Sequence, residues 1–500
     1  MDNKLNQILR SDLLLCLIAI LIYVTAAINL VGYFHPDEHY QILEFANYKL
    51  GKIDASQMPW EFNYEMRSSF QPWIAFWVTK LFNYLHIFNS YSIALALRLI
   101  TAALSLFAII RFNNVVLLEI DSKFRIFYKW TSFFLWFIPC LSVRFSSEVW
   151  SALLFLLALS YVLPDKKRGY GCLFAGGVFF GLSYLCRFQA AIMITGLILW
   201  LLVIGKRSKR KIILIIATTF VVMVFGVYID YLYYGDWTLS AWNYFNMNII
   251  YDKASNFGSI SIYQFFRSAV IGMIFPLGLL VLYCFIVLIL KMPRLFVVWC
   301  TVPLVVVHLL ISHKEVRFLF PIIYFIPFII VKSINLLVSG TSKANFKNWQ
   351  KVIIRGVFST LIAGNIICLV VAIFSPPLNG RLVLAKYIYD NYRNTRIKLF
   401  AKKRSNPVNP YSSLTQSFYD IGKVDYSQLN NYDTLPLIAT FHDSEKLLVI
   451  QRHDFSDSTI TSMLYQSQIS VLKTGNPPWL FDIKSFFRQN DDEYILCKFN

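Results

Sequence analysis

The residues best equipped for chemistry stand where apolar runs end. "FHPDEHYQILE" (34–44) comes directly after one such run. Pro36 suits the first position of a helix, where its missing N–H costs nothing. Asp37 and Glu38 then fall in the first turn, where the helix dipole favours carboxylates. Asp37, Gln41 and Glu44 recur at i, i+4 and i+7, which predicts one polar stripe on a helix near the membrane surface, with Ile42, Phe45 and Tyr48 on its apolar side. A carboxylate so placed is a candidate general base. It is equally an ordinary helix cap, and the stretch alone leaves both uses open. His35 and His39 flank the acidic pair, but not in the HExxH order that puts two histidines and a base on one helix face. His35 also lies ahead of Pro36, so no metal site is expected.

Three further stretches carry ligand-type groups. "WEFNYEMRSSFQP" (60–72) holds Trp60, Glu61, Glu65 and Arg67. The Arg67 fork suits paired hydrogen bonds to a phosphate, or snorkelling toward lipid headgroups. "ISHKEVRFLFP" (311–321) packs His313, Lys314, Glu315 and Arg317 between two apolar runs. Ionisable groups there are costly and point to function; their excess of cations suits an anionic, lipid-embedded group such as a phosphate, or else an interfacial anchor. "DYLYYGDWTLSAWNYFNMN" (230–248) sets Asp236, Trp237, Asn243, Asn246 and Asn248 among aromatic rings. Such a surface stacks on pyranose faces and pairs with hydroxyls, or forms the aromatic belt of a membrane protein.

The elements that position these residues are membrane spans. The 500-residue chain is 57% hydrophobic and only 15% charged, with a mean hydropathy of +0.54; a soluble domain would carry about a quarter charged residues. About eleven apolar runs approach the length needed to cross a hydrocarbon core: 12–34, 92–110, 130–143, 149–163, 170–186, 188–204, 212–231, 266–290, 295–311, 318–336 and 353–375. The short pair 130–143 and 149–163 is a candidate for broken or re-entrant helices. The first run reads as a retained span, not a cleaved signal. The net charge of +19 reflects basic loops (111–129, "DKKRG" 165–169, "GKRSKRK" 205–211, Lys291 with Arg294, and 332–355) that all fall on one side. The positive-inside rule makes that side cytoplasmic and removes nucleic acid as the explanation. The first loop (35–91), the loop 232–265, the turn 313–317 and the tail then face the lumen or periplasm.

The tail from 376 to 500 changes character. "LPLIATF" (435–441), "KLLVIQR" (446–452) and "EYILCKF" (493–499) read as strands, with a helical segment and the turn "TGNPPW" (474–479) between them, giving a small mixed α/β domain after a membrane domain over 1–375. Seven of the eight cysteines sit in or beside apolar runs, where a thiol behaves as a small hydrophobe; no disulfide framework is expected.

Together these motifs resemble glycosyltransferase family 22, the multi-span mannosyltransferases of dolichol-linked oligosaccharide and GPI-anchor synthesis. "FHPDEHYQILE" is similar to the family's "PDE…Q…E" motif, "WEFNYEMRSSFQP" to its "WE…RS…P" segment, and "HKEVRFLFP" (313–321) to its "HKExRF…P" turn, with "YYGDW…WN" (233–243) weaker. Met66 and Ser69 depart from the pattern, which has a small residue and an aromatic there. The resemblance implies the GT-C architecture and a polyprenyl or dolichyl phosphate mannose donor. It implies transfer with inversion to an α-mannoside on a glycan or glycolipid acceptor, at the non-cytoplasmic face of the endoplasmic reticulum or a bacterial inner membrane. Asp37 would be the base with Glu38 beside it. Arg67, His313, Lys314 and Arg317 would take the donor phosphate, and Gln41, Glu44, Trp60, Glu61, Glu315, Asp236, Trp237 and Asn243 would bind or orient substrates. Neither a metal nor a cofactor is implied; the partners are the two lipid-linked substrates and the bilayer. A GT-C transferase of another sugar and a lipid-linked-sugar flippase are the competing readings; the flippase predicts charges at the bilayer midplane and inverted repeats, and the sequence has neither.

Overall fold

The computed structural model of the chain describes residues 2–163, 169–340, 348–407, 416–440, 445–486 and 493–500; most of the "DKKRG" loop (165–168) and part of the loop 332–355 lie outside them. The chain forms two compact units interleaved in sequence, one of Met1–Val24, Tyr64–Gln71 and Ile100–Val370, the other of Thr25–Asn63, Pro72–Leu99 and Val371–Asn500.

The chain is a mostly helical, multi-pass membrane protein. Among the described residues, five helical stretches are long and apolar enough to cross a bilayer: Asp12–Asn29, Ser90–Glu119, Lys209–Tyr234, Val316–Val338 and Asn348–Phe374. Four apolar helices are shorter: Ser147–Val162, Tyr170–Cys186, Ala190–Val203 and Phe296–Leu310.

Two of the expected spans are interrupted. The run 266–290 is broken into two helices, Ile262–Gly272 and Phe275–Lys291, bent by 118°. Pro276 stands in the first turn of the second, where it supplies no N–H to a continuing helix. Ile274 adopts a left-handed φ of 68°, and a Cβ on Gly278 would lie 2.1 Å from the Val270 carbonyl oxygen, so only glycine permits that return. The run 130–143 divides into Arg125–Phe134 and Phe137–Leu141. Asn365 repairs the break: its Nδ2 donates to the Phe134 carbonyl at 2.8 Å and its Oδ1 accepts from the Trp136 N–H at 2.9 Å. Backbone freed in hydrocarbon must be paired within the protein.

At the centre of the first unit, every residue of Ser147–Val162 except Ser147 and Tyr161 is buried. A helix apolar all round belongs in a protein interior. The neighbouring helix 170–186 packs closely on Lys209–Tyr234: a Cβ on Gly177 would meet Thr218 at 2.7 Å, and Thr219 Oγ1 donates to the Gly177 carbonyl. Small residues let membrane helices approach in this way.

The second unit carries a five-stranded sheet: β1 (Ile397–Lys402), β2 (Val424–Leu429), β3 (Glu445–Gln451), β4 (Ile469–Thr474) and β5 (Tyr494–Phe499). The order is β2-β1-β3-β5-β4, with β1 parallel to β2 and β3, and β5 antiparallel to β3 and β4. Both faces are covered. Leu447 and Val449 of β3 pack with Leu384 and Ile388 of helix Arg381–Tyr392, while Leu448 and Ile450 pack with Leu435 and Leu464 on the other side. That double burial is why β3 reads as an unbroken apolar run rather than an alternation.

The stretch 435–441, expected as a strand, is a helix over Leu435–Ala439. Pro436 occupies its first turn, a favourable helical position and a poor ladder position. A short apolar run carries no period that separates the two.

Candidate active site

In the first unit the charged turns converge at the ends of the packed helices. Ser146 caps Ser147–Val162 and puts Glu148 in its first turn; helix 170–186 ends at Arg187; Arg317 opens the 3-10 run Val316–Phe325. Glu148 Oε1 lies 3.2 Å from Arg187 Nη1 and 3.4 Å from Arg317 Nη1. Both guanidiniums lie over the ring of Phe318, 5.4 and 5.2 Å from its centre. Arg317 also pairs with Glu315 through Nε and through Nη2 at 3.2 Å, and His313 reaches Glu315 Oε1 at 2.7 Å and the Gly258 carbonyl at 2.8 Å. Lys314 stands half-buried beside them, Nζ 3.5 Å from the Ser312 carbonyl. Arg144, buried, acts electrostatically on Glu148. Three arginines, Arg187, Arg317 and Arg144, thus share two carboxylates, Glu148 and Glu315, with Lys314 beside Glu315 in the chain. Buried ion pairs persist where their geometry is good; an excess of fixed positive charge in such a place is suited to an anion.

Glu148, Arg187 and Arg144 escaped the sequence motifs. Each is a single charge at the edge of an apolar run. The available signal was Arg187, an arginine in a turn that the charge bias assigns to the outer face, where few are expected.

The Arg67 turn is moored to the same unit. Ser69 donates to Asp230 Oδ1 from both its N–H and its hydroxyl, each at 2.7 Å, and Tyr234 donates to the Arg67 carbonyl at 2.7 Å. An aromatic at 69 would have no hydroxyl for this bond, which gives the departure from the family pattern a structural use; Met66 is fully buried. Glu65 adopts a left-handed φ of 47°, a strained conformation of the sort found at functional sites. The Arg67 guanidinium lies over Tyr244, 5.3 Å from its centre, and Gln189 donates to the Tyr244 hydroxyl at 2.7 Å. Asp230 opens the fourth motif at the end of an apolar run, and nothing local marks it as the partner of Ser69. Of the proposed sugar-facing residues, Asp236 and Trp237 are exposed, with Trp237 stacked on Tyr231, and Asn243 donates to Thr238.

In the second unit, Pro36–Glu38 forms a helical turn capped by His35, whose Nδ1 accepts from the Asp37 N–H at 3.2 Å. Glu38 Oε2 accepts from the Phe34 N–H at 3.3 Å. The Asp37 side chain remains 20% exposed, so it is both fixed and accessible. The expected amphipathic surface helix gives way to a π-turn over His39–Leu43, and every residue from His39 to Asn47 is buried. The apolar side is inside, but so is the polar stripe: Gln41 Nε2 donates to Glu61 Oε1 at 3.0 Å, joining the first motif to the second beside half-buried Trp60. Glu44 Oε1 lies 2.7 Å from His39 Nε2 and accepts from the N–H groups of Ser417 and Phe418 at 2.6 and 2.9 Å. Burial works to raise the Glu44 carboxyl, but His39 and these two N–H groups outweigh it and hold it below the usual glutamate range. The surface-helix expectation failed because the cover comes from the tail, far away in sequence.

The class of protein emerges from this architecture. The fold is that of the GT-C membrane glycosyltransferases. It matches ArnT from Cupriavidus metallidurans bound to undecaprenyl phosphate with a TM-score of 0.53 over 98% of both chains, at 12% identity, and the apo form of that enzyme at 0.52. Within this class the chain belongs to the Alg9-like mannosyltransferase family, whose model matches residues 13–403, in agreement with the motif resemblance. Curated relatives include GPI alpha-1,2-mannosyltransferase 3 of Bos taurus, 27% identical over 334 residues, and that of Homo sapiens, 25% identical over 365. Those matches cover 64% and 70% of this chain, which spans 56% and 61% of the relatives' lengths.

Proposed function

We propose that the chain transfers mannose from a polyprenyl or dolichyl phosphate donor to a hydroxyl of a glycan or glycolipid acceptor, on the non-cytoplasmic face of its membrane. The observation that carries this reading is the cation-rich cluster of Arg317, Arg187 and Arg144 around Glu148 and Glu315, in a chain of a mannosyltransferase family. A donor of this kind bears one phosphodiester anchored in the bilayer, and its departure needs positive charge already in place. The similarly folded ArnT has been solved with undecaprenyl phosphate bound.

In this reading the acceptor oxygen attacks the anomeric carbon, the bond from that carbon to the phosphate oxygen breaks, and the pair of electrons leaves with the lipid phosphate. The acceptor proton passes to Asp37, whose carboxylate is the general base; Glu38, tied to the Phe34 backbone, keeps the turn in place. Attack opposite the leaving phosphate inverts the centre and gives an α-mannoside from a β-linked donor. Arg67, His313, Lys314 and Arg317 take the phosphate charge. Gln41, Trp60, Glu61, Glu315, Asp236, Trp237 and Asn243 bind or orient the substrates.

The test is mannosyl transfer by the purified protein from radiolabelled polyprenyl phosphate mannose to a panel of lipid-linked glycans, for wild type, Asp37→Asn and Arg317→Gln. Transfer by wild type that collapses in both variants supports the reading. Transfer of a different sugar in place of mannose, or full activity of Asp37→Asn, overturns the donor or the base respectively.

A further inference from the structure

The tail segment Gln416–Asp420 is built into the first loop. Glu44, 1% exposed, spends its carboxylate on the protein: Oε1 receives His39 Nε2 and the N–H groups of Ser417 and Phe418, and Oε2 receives Asn47 Nδ2 at 3.2 Å. His39 is wholly buried, stacked between Tyr33 at 4.7 Å and Tyr419 at 5.5 Å. Tyr33 donates to Gln416 Oε1 at 2.9 Å, Tyr419 pairs with Arg98, and the Asp420 N–H donates to Ser90 Oγ at 3.2 Å. One short stretch, more than 370 residues downstream, therefore holds both sides of the acidic turn's support.

The π-turn explains why this support bears on Asp37. In an α-helix residues five apart point in different directions, because each residue turns the chain by about 100°. Here the backbone N–H of Glu44 bonds to the His39 carbonyl, and the side chain of Glu44 meets that of His39. Both bonds run from i+5 to i, and both need the wider turn. π-turns of this kind are rare and gather at functional sites. Should the turn relax to α, the residues before it, Pro36–Glu38, would rotate by about one residue's worth, roughly 100°.

We propose that Glu44 is a positioning residue: gripped by the Ser417 and Phe418 backbone, it holds the His39–Leu43 π-turn wound and so aims the Asp37 carboxylate. The inference rests on Asp37 being the base. It assigns the C-terminal domain a part in the reaction, through backbone donors that no side-chain motif would reveal.

The experiment uses the full chain in lipid nanodiscs, with Glu44→Gln, which keeps the shape and removes the charge, and Ser417→Pro, which removes one donor from the tail side. Donor and acceptor kinetics and hydrogen exchange of residues 36–44 are read together, with Asp37→Asn in parallel. Both variants are expected to lower kcat by about 10²-fold with KM for donor and acceptor within about twofold of wild type, the signature of misplacement rather than lost binding. Exchange across 36–44 is expected to accelerate in both. Faster exchange with kcat unchanged overturns the proposal, as does a loss confined to KM, which would make Glu44 a substrate ligand. If Glu44→Gln does not fold, Ser417→Pro and Tyr419→Phe decide on the same criteria. If Asp37→Asn keeps full transfer while Glu44→Gln loses it, the base assignment falls and the support of the turn stands; the converse result overturns the positioning role alone.

Discussion

Gln41 donates to Glu61 at 3.0 Å, with both side chains buried. A residue of the first motif and one from the start of the second, separate in sequence, are thus hydrogen-bonded within the second unit.

That bond predicts coupled stability. Glu61→Ala leaves a buried Gln41 amide donor unsatisfied, expected to cost about 1–3 kcal/mol. Gln41→Leu should recover part of the loss, since removing both partners of a buried bond costs less than removing one. Thermal unfolding of the single and double variants in one detergent checks it; additive losses would mean that the pair is not coupled.

Glu148 gathers Arg187 and Arg317. Glu148→Ala takes its carboxylate partner from the buried Arg187 guanidinium and leaves half-buried Arg317 to Glu315; it is expected to destabilise the protein by about 3 kcal/mol. Arg187→Gln should instead act on the donor, raising its KM by about tenfold, one charged contact's worth, while the acceptor KM holds. Arg187→Lys should restore little, because an ammonium cannot match a planar fork that also lies over Phe318. Steady-state kinetics with each substrate varied separately decides this; an equal rise in both KM values would sink the donor assignment.

Asp37→Asn keeps size and loses basicity. General-base contributions of about 10²–10⁴-fold are usual, and a loss of kcat in that range is expected. Wild-type transfer in excess EDTA should match transfer without it, since no metal takes part in the proposed step. Rate loss on chelation that returns with a divalent cation would contradict this.

The Glu44 carboxyl is held below its ordinary value despite burial, by His39 and the Ser417 and Phe418 N–H groups. Among the described residues, Tyr33, Tyr40 and Tyr419 also pack on the His39 ring, with Arg98 behind Tyr419. A depressed carboxyl contributes stability above its unfolded value, about 4.3, and that contribution disappears as pH falls through the folded value. Protection of the Ser417 and Phe418 amides against hydrogen exchange should therefore be full at neutral pH and decline only below about pH 4. Protection lost already between about pH 7 and 5 would mean that Glu44 is not the group in control.

Much of the molecule is legible in its sequence, for local reasons. Apolar runs announce helices because each must meet lipid or protein along its length, and the outer polar clusters stand out because charge is costly there. "LLVI" in β3 and "YILC" in β5 announce a buried sheet by the same rule. Where a proline carried the decisive information, as at Pro276 and Pro436, hydropathy masked it: apolar runs hid a bent pair and a short helix.

By itself the sequence determined the class of the protein, the positions of most of its apolar helices and the location of the PDE and HKEVR turns, because period, hydropathy and residue type act over a few neighbours. The tertiary structure alone decided that Glu148 would gather Arg187 and Arg317, that Asp230 would moor Ser69, and that Glu44 would be gripped by the backbone of Ser417 and Phe418. Those partners lie up to several hundred residues apart, and backbone N–H groups are the same in every residue but proline. What selects them is burial: once packing removes water from a carboxylate, it must find its donors wherever the folded chain has brought them.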